Sequence, residues 1–123
     1  QAMNTGHDGS LSTGHANSPK DMLTRLETMV LMGMDMPVSA IRAQISSAID
    51  IIVHLARLRD KSRKVVQIAE VGNCINGEIA LTPLFKFVGN SQDKNGKVTG
   101  TLVRQNNVFN RTQKLEAAGF SEW

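Results

Sequence analysis

The sequence predicts an α/β fold: one short strand and two helices, then an antiparallel strand meander and a short C-terminal helix. Apolar residues recur at spacings of three and four over residues 22–34 and again over 41–49, as on one helix face. From residue 51 the pattern changes to a period of two, rich in β-branched side chains. Turn-forming dipeptides then divide the second half into short strands, of which Asn76-Gly77 is the strongest hairpin signal.

The only strand-like stretch before the helices is Ser10 to His15. The first helix is expected to begin after Ser18, a good N-cap, because Pro19 suits the first helical position. Gly33 is expected to end this helix, and Pro37 to open the second one.

The second half predicts four strands and a helix. Strands are expected near residues 51–55, 64–71, 79–87 and 97–103, with a polar turn at 60–62. Pro83 cannot donate a ladder hydrogen bond, so its strand should lie at an edge or bend there. A short helix from about Arg111 to Ala118, stopped at Gly119, should close the chain.

Composition indicates one packed globular domain. The chain has 123 residues, of which 41% are hydrophobic and 20% charged. A single cysteine, Cys74, excludes an internal disulfide. No apolar run approaches the roughly 20 residues needed to cross a bilayer.

A cluster of five cations with one intervening acid, Asp60, lies in the middle of the chain: Arg57, Arg59, Lys61, Arg63 and Lys64. Such a cluster can attract phosphate or an acidic partner, but it can equally be a solvated turn. It lacks the interleaved aromatic residues of a single-stranded nucleic-acid groove, so no nucleic-acid partner is expected.

The stretch from Thr5 to Asn17 carries the strongest chemical signal, with His7, Asp8 and His15 among Gly, Ser and Thr. It fits a zinc site poorly, because no second ligand pair stands at the usual spacing. It fits a Ser/His/Asp hydrolase poorly, because no nucleophile-elbow pattern is present. A loop that approaches a phosphate and an ordinary polar turn both fit the pattern.

This stretch resembles the histidine box of the type II/type IV secretion ATPases, in particular the CpaF-like branch of tight-adherence (Flp) pilus assembly. The resemblance covers residues 1 to about 87 and is specific, because further motifs follow in order: Ser18 to Val30, Ile41 to Asp50, Arg57 to Val65 and Ile68 to Val71. Over Asn106 to Arg111 the chain departs from the family's pattern.

The resemblance implies the C-terminal part of a RecA-like (P-loop NTPase) core over residues 1–60 and a C-terminal β-hairpin extension with a terminal helix over 61–123. It implies a hexameric ring that is cytoplasmic and peripherally associated with the inner membrane. There it would couple ATP hydrolysis, with Mg²⁺, to pilin assembly or protein export through inner-membrane platform proteins. His15 and His7 would be the catalytic residues that sense the γ-phosphate, with His15 the closer one.

The phosphate loop of such an enzyme, G-x-x-x-x-G-K-[ST], is absent from these residues. Gly96-Lys97 is followed by Val98 and is interpreted as a hairpin turn. We therefore expect a fragment that lies downstream of the phosphate loop, binds no cofactor tightly and is inactive alone.

Arg57, Arg59 and Arg42 are weaker candidates for a nucleotide-proximal or subunit-interface role. For Arg57 and Arg59, salt bridges to Asp60 or Glu70 are the competing interpretation. No metal ligands are predicted. The alternative function is a non-enzymatic interaction module that binds a protein or an anion.

Overall fold

The computed structural model describes residues 9–122, except for the side chains of 90–92. Its elements follow the order helix, helix, four strands, helix. They are α1 (Pro19–Gly33), α2 (Val38–Ala48), β1 (Ile51–Arg57), β2 (Arg63–Ile75), β3 (Glu78–Gln92), β4 (Val98–Arg104) and α3 (Gln113–Ala117). The four strands form one antiparallel meander in the order β1-β2-β3-β4. The α/β class, the two helices, the meander and the closing helix are confirmed.

Helix α1 begins where its capping residues predict. The Ser18 hydroxyl accepts the Asp21 N–H at 3.0 Å, and the Asp21 carboxylate accepts the Asn17 N–H at 2.9 Å. The first bond satisfies a backbone donor of the first helical turn, and the second ties the residue before the N-cap to that turn. The Asn17 bond, followed by the ion pair with Arg25, holds the pKa of Asp21 below its usual value.

The hydrophobic core lies between the two helices and one face of the sheet. Its buried centre is Leu23 of α1 with Ile41 and Ile45 of α2. Side chains of β1 and β3, Ile52 and Leu81 among them, pack against this centre. The sheet is therefore covered by both helices on the same side.

Turn chemistry sets the register of the sheet. Asn76 (φ 54°) and Gly77 (φ 82°) form the β2–β3 turn, as predicted, since both tolerate positive φ. β3 is an interior strand, yet it contains Pro83, and the β2–β3 register shifts between the pairs Ile68–Phe85 and Ala69–Pro83. At Pro83 the strand pairs with β2 alone, because the β3–β4 pairing ends at Phe85–Arg104. The proline therefore lies at a local edge of the sheet, beside an irregularity in the β2–β3 register.

The prediction of a short strand at residues 10–15 is wrong, because residues 9–16 have no regular secondary structure. The side chain of Leu11 is fully exposed, so no apolar surface is buried there that could stabilise a strand. Within the described part of the chain no strand pairs with this stretch, and a lone strand leaves its backbone donors and acceptors unsatisfied. No helix among residues 9–122 is long and apolar enough to cross a membrane.

Candidate functional site

His15 lies in the irregular stretch that precedes α1, and its side chain is exposed. The neighbouring Gly14 packs against the first turn of α1: a Cβ built there would lie 2.6 Å from the terminal methyl of Met22. The loop therefore approaches the helix closely at glycine while its imidazole remains open to a ligand. His7 lies outside the described residues.

Arg57 and Arg59 lie at the end of β1 and in the following turn, and both are exposed. They border one groove of about 410 Å³ whose other lining residues are Leu58, Phe87, Gly89 and Val98. The pairing of the strands explains why these residues lie together, because β3 and β4 bring Phe87 and Val98 to the same end of the sheet as the β1–β2 turn. We name the groove with these six residues the basic groove.

The one acidic residue of the cationic cluster, Asp60, is held inside its own turn. Its carboxylate accepts hydrogen bonds from the Ser62 hydroxyl, from the Ser62 N–H at 2.9 Å and from the Val98 N–H at 2.7 Å. These bonds, the Ser62 hydroxyl foremost, lower the pKa of Asp60 to about 2. Asp60 thereby ties the β1–β2 turn to the start of β4 rather than pairing with Arg57 or Arg59.

Arg42 occupies a different surface. Its guanidinium pairs with both oxygens of Glu27, at 3.0 and 3.1 Å, and also donates to the Gly77 carbonyl in the β2–β3 turn. The Glu27 carboxylate raises the pKa of Arg42 above its usual value. A second groove of about 430 Å³, between α1 and the β2–β3 hairpin, includes Arg42 and Glu27 in its lining. The structure thus shows Arg42 as a link between α1, α2 and the sheet.

The described residues do not form a complete site for ATP and Mg²⁺. No group of three or more His, Cys, Asp or Glu among residues 9–122 could hold a metal ion. The Gly96-Lys97 pair lies in the β3–β4 turn, where Gly96 has φ 78° and its N–H bonds the Asp93 carbonyl at 3.0 Å. The element directly after it is the strand β4 rather than a helix, so it does not have the geometry of a phosphate-binding loop.

Sequence reasoning missed two parts of this architecture. It did not place Phe87 and Val98 beside the cationic cluster, because no motif links them and only strand register brings them there. It also missed the partner of Glu70, which is 2% exposed and lies against the C-terminal tail. Its neighbours are the backbone N–H groups of Asn110 and Arg111, in the segment that departs from the family pattern.

Comparison with known proteins decides the family. The family model described as "Type II/IV secretion system protein" matches residues 1–116, which is nearly the whole chain. The chain belongs to this family. It is also 38% identical, over 69 residues, to putative conjugal transfer proteins from two strains of Mycobacterium tuberculosis. That match covers 55% of this chain and 19% of each relative, so the chain spans about a fifth of the length of the curated relatives it matches.

The motifs identified in the sequence all lie within the range that the type II/IV secretion family model matches. The matched range contains the histidine-rich stretch, both helices, the whole meander and most of α3. The region over residues 106–111, which looks unusual in sequence, is therefore part of the matched range rather than an appendage.

Proposed function

We propose that this chain is the C-terminal portion of a secretion motor ATPase that couples ATP hydrolysis to pilin assembly or protein export, in the CpaF-like branch of tight-adherence systems. The observation that carries the proposal is the family match over residues 1–116, which includes the histidine-rich stretch. The ordered series of motifs from Ser18 to Val71 supports the choice of branch.

Within this proposal, residues 1–60 complete a RecA-like core and residues 61–123 extend it. The division at residue 60 falls in the turn between β1 and β2, which are paired strands of one sheet. Rigid coupling between core and extension would follow from that pairing, since the two strands share backbone hydrogen bonds.

His15 has the role of sensing the γ-phosphate, assisted by His7. An exposed imidazole next to a closely packed glycine can donate one hydrogen bond to a phosphate oxygen and accept another from water or a neighbouring group. ATP and Mg²⁺ would be held chiefly by residues outside this chain, and Arg57 and Arg59 would lie near the nucleotide or at a subunit interface. The assembly is a hexameric ring at the cytoplasmic face of the inner membrane, bound to platform proteins.

The test begins with the coding sequence upstream of Gln1. A phosphate loop and an acidic strand for Mg²⁺ in the preceding stretch are expected. The intact gene product should hydrolyse ATP only with Mg²⁺, and a deletion strain should lose surface pili or an exported protein. A start codon close to Gln1, or an intact product without ATPase activity, would contradict the proposal.

A second candidate is a motor for conjugal transfer. The 38% identity over 69 residues to putative conjugal transfer proteins favours it. The same deletion strain separates the two: loss of DNA transfer to a recipient, with normal pili and export, would favour the conjugal role.

A further inference from the structure

Two cations of the central cluster are placed directly opposite each other in the sheet. Arg57 of β1 and Arg63 of β2 are cross-strand partners, and both are exposed. Side chains in that relation have Cβ atoms about 5 Å apart, and like charges there destabilise the strand pair. An anion that binds between the two guanidinium groups would remove this repulsion and stabilise the strand pair.

The acid that could relieve the repulsion is already engaged. The Asp60 carboxylate already accepts hydrogen bonds from three donors: the Ser62 hydroxyl, the Ser62 N–H and the Val98 N–H. The salt bridges found among the described residues involve Arg25, Arg42 and Arg111, none of which belongs to the cluster. The cationic turn thus carries a net positive charge that its own side-chain ion pairs leave uncompensated.

The surface beside these charges is a shallow, open groove with a partly apolar lining. In the basic groove, Arg57 and Arg59 form the rim, while Leu58, Phe87 and Val98 supply half-buried apolar side chains. Phe87 is held in place by a glycine pair, because Gly89 and Gly100 are cross-strand partners and a Cβ on Gly100 would lie 2.7 Å from its ring.

We propose that the basic groove binds an acidic polypeptide segment of a protein partner, with an apolar side chain in the groove and carboxylates on the arginine rim. Guanidinium groups match carboxylates bidentately, which makes the pairing geometrically specific. A short groove that combines two arginines with apolar side chains matches the mixed acidic and apolar side chains of a peptide better than the broad surface of head groups that a bilayer presents. Leu55, two residues before Arg57 on β1, is also apolar and 60% exposed.

The test measures fluorescence anisotropy of a labelled peptide in which Asp and Glu flank a central Phe, titrated with the full chain. The double variant Arg57→Ser/Arg59→Ser should bind roughly tenfold more weakly, the loss expected for one or two charge-assisted hydrogen bonds. The matched control Lys94→Ser/Lys97→Ser removes the same charge from the β3–β4 turn and should bind as the unaltered chain does. Far-UV circular dichroism checks that both variants fold alike.

Two further probes separate groove binding from simple charge attraction. A peptide with Ala in place of Phe should bind more weakly, and a peptide with Lys in place of the acids should not bind. Equal weakening by the Lys94/Lys97 control, or no binding of the acidic peptide, would overturn the proposal. So would binding to phosphatidylglycerol vesicles without binding to the peptide. The assay contains no nucleotide, so its outcome does not test ATP hydrolysis. Binding of the acidic peptide is compatible with the proposed placement of Arg57 and Arg59 at a subunit interface, and it speaks against their placement beside the nucleotide.

Discussion

Glu70 of β2 and Arg111 of the C-terminal tail are joined by a hydrogen bond. The Glu70 carboxylate accepts the Arg111 N–H at 2.7 Å, and the Arg111 guanidinium donates to the carbonyl of Val71, the residue next to Glu70. The same guanidinium bonds the Asp50 carboxylate at 2.7 Å and the Ser46 carbonyl at 2.6 Å. One tail residue therefore joins the end of α2, the segment before β1 and the middle of β2.

Replacing Arg111 by Ala should destabilise the chain by about 2–3 kcal/mol, because the Val71 carbonyl, the Asp50 carboxylate and the Ser46 carbonyl all lose a charged donor. Urea unfolding followed by circular dichroism measures the change. Arg25→Ala is the matched control, since its ion pair with Asp21 lies on the exposed face of α1 and should contribute little. If the two variants lose the same unfolding free energy, the hydrogen bonds of Arg111 stabilise the fold no more than an exposed ion pair does.

The Gly89–Gly100 pair gives a second prediction. A Cβ on Gly100 would lie 2.3 Å from the Val88 carbonyl oxygen, a backbone atom that cannot move aside cheaply. Gly100→Ala should therefore cost about 1–3 kcal/mol or more of unfolding free energy.

Gly33→Ala provides the control for that substitution. No atom lies within 4 Å of a Cβ built at Gly33, the last residue of α1. Alanine there should leave stability unchanged or raise it by up to about 1 kcal/mol, because it restricts the unfolded chain. A Gly100→Ala chain as stable as the Gly33→Ala chain would mean that β3 and β4 are not paired in this register.

The element boundaries were largely predictable because local chemistry determines them. Ser18 and Pro19 place the start of α1, and Asn76-Gly77 places the β2–β3 turn, through backbone preferences that act within a few residues. The stretch from Ser10 to His15 resembles a short strand in sequence, yet strand formation depends on a neighbouring strand that the sequence alone does not reveal.

Long-range contacts were beyond the sequence for the same reason. The link between Asp60 and Val98 joins residues 38 positions apart, and the link between Glu70 and Arg111 joins residues 41 positions apart. No periodicity or motif encodes such pairs. The Asp60–Val98 contact depends on how the strands of the meander align, and the Glu70–Arg111 contact depends on where the tail packs against β2. The basic groove is likewise a product of register, although its cations were visible in the sequence.

Asp60 predicts a pH dependence of stability. Its pKa falls from 3.8 to about 2 on folding, so its contribution is fully present above about pH 4 and is lost as the pH falls from 4 towards 2. Asp60→Asn should lower the urea midpoint at neutral pH and flatten its pH dependence between 4 and 2. Asp35→Asn, an exposed change between α1 and α2, is the control. If both variants keep the slope of the unaltered chain, the bonds from Ser62 and Val98 to Asp60 do not form.

Mutation of His15 in the full-length gene product tests the central claim most directly. His15→Ala should lower the ATP turnover number roughly 100-fold or more, the range for losing one transition-state donor, with little change in nucleotide affinity. His54→Ala, which removes a half-buried histidine of β1, should retain turnover. Wild-type turnover in His15→Ala, or an equal fall in the two variants, would contradict the account.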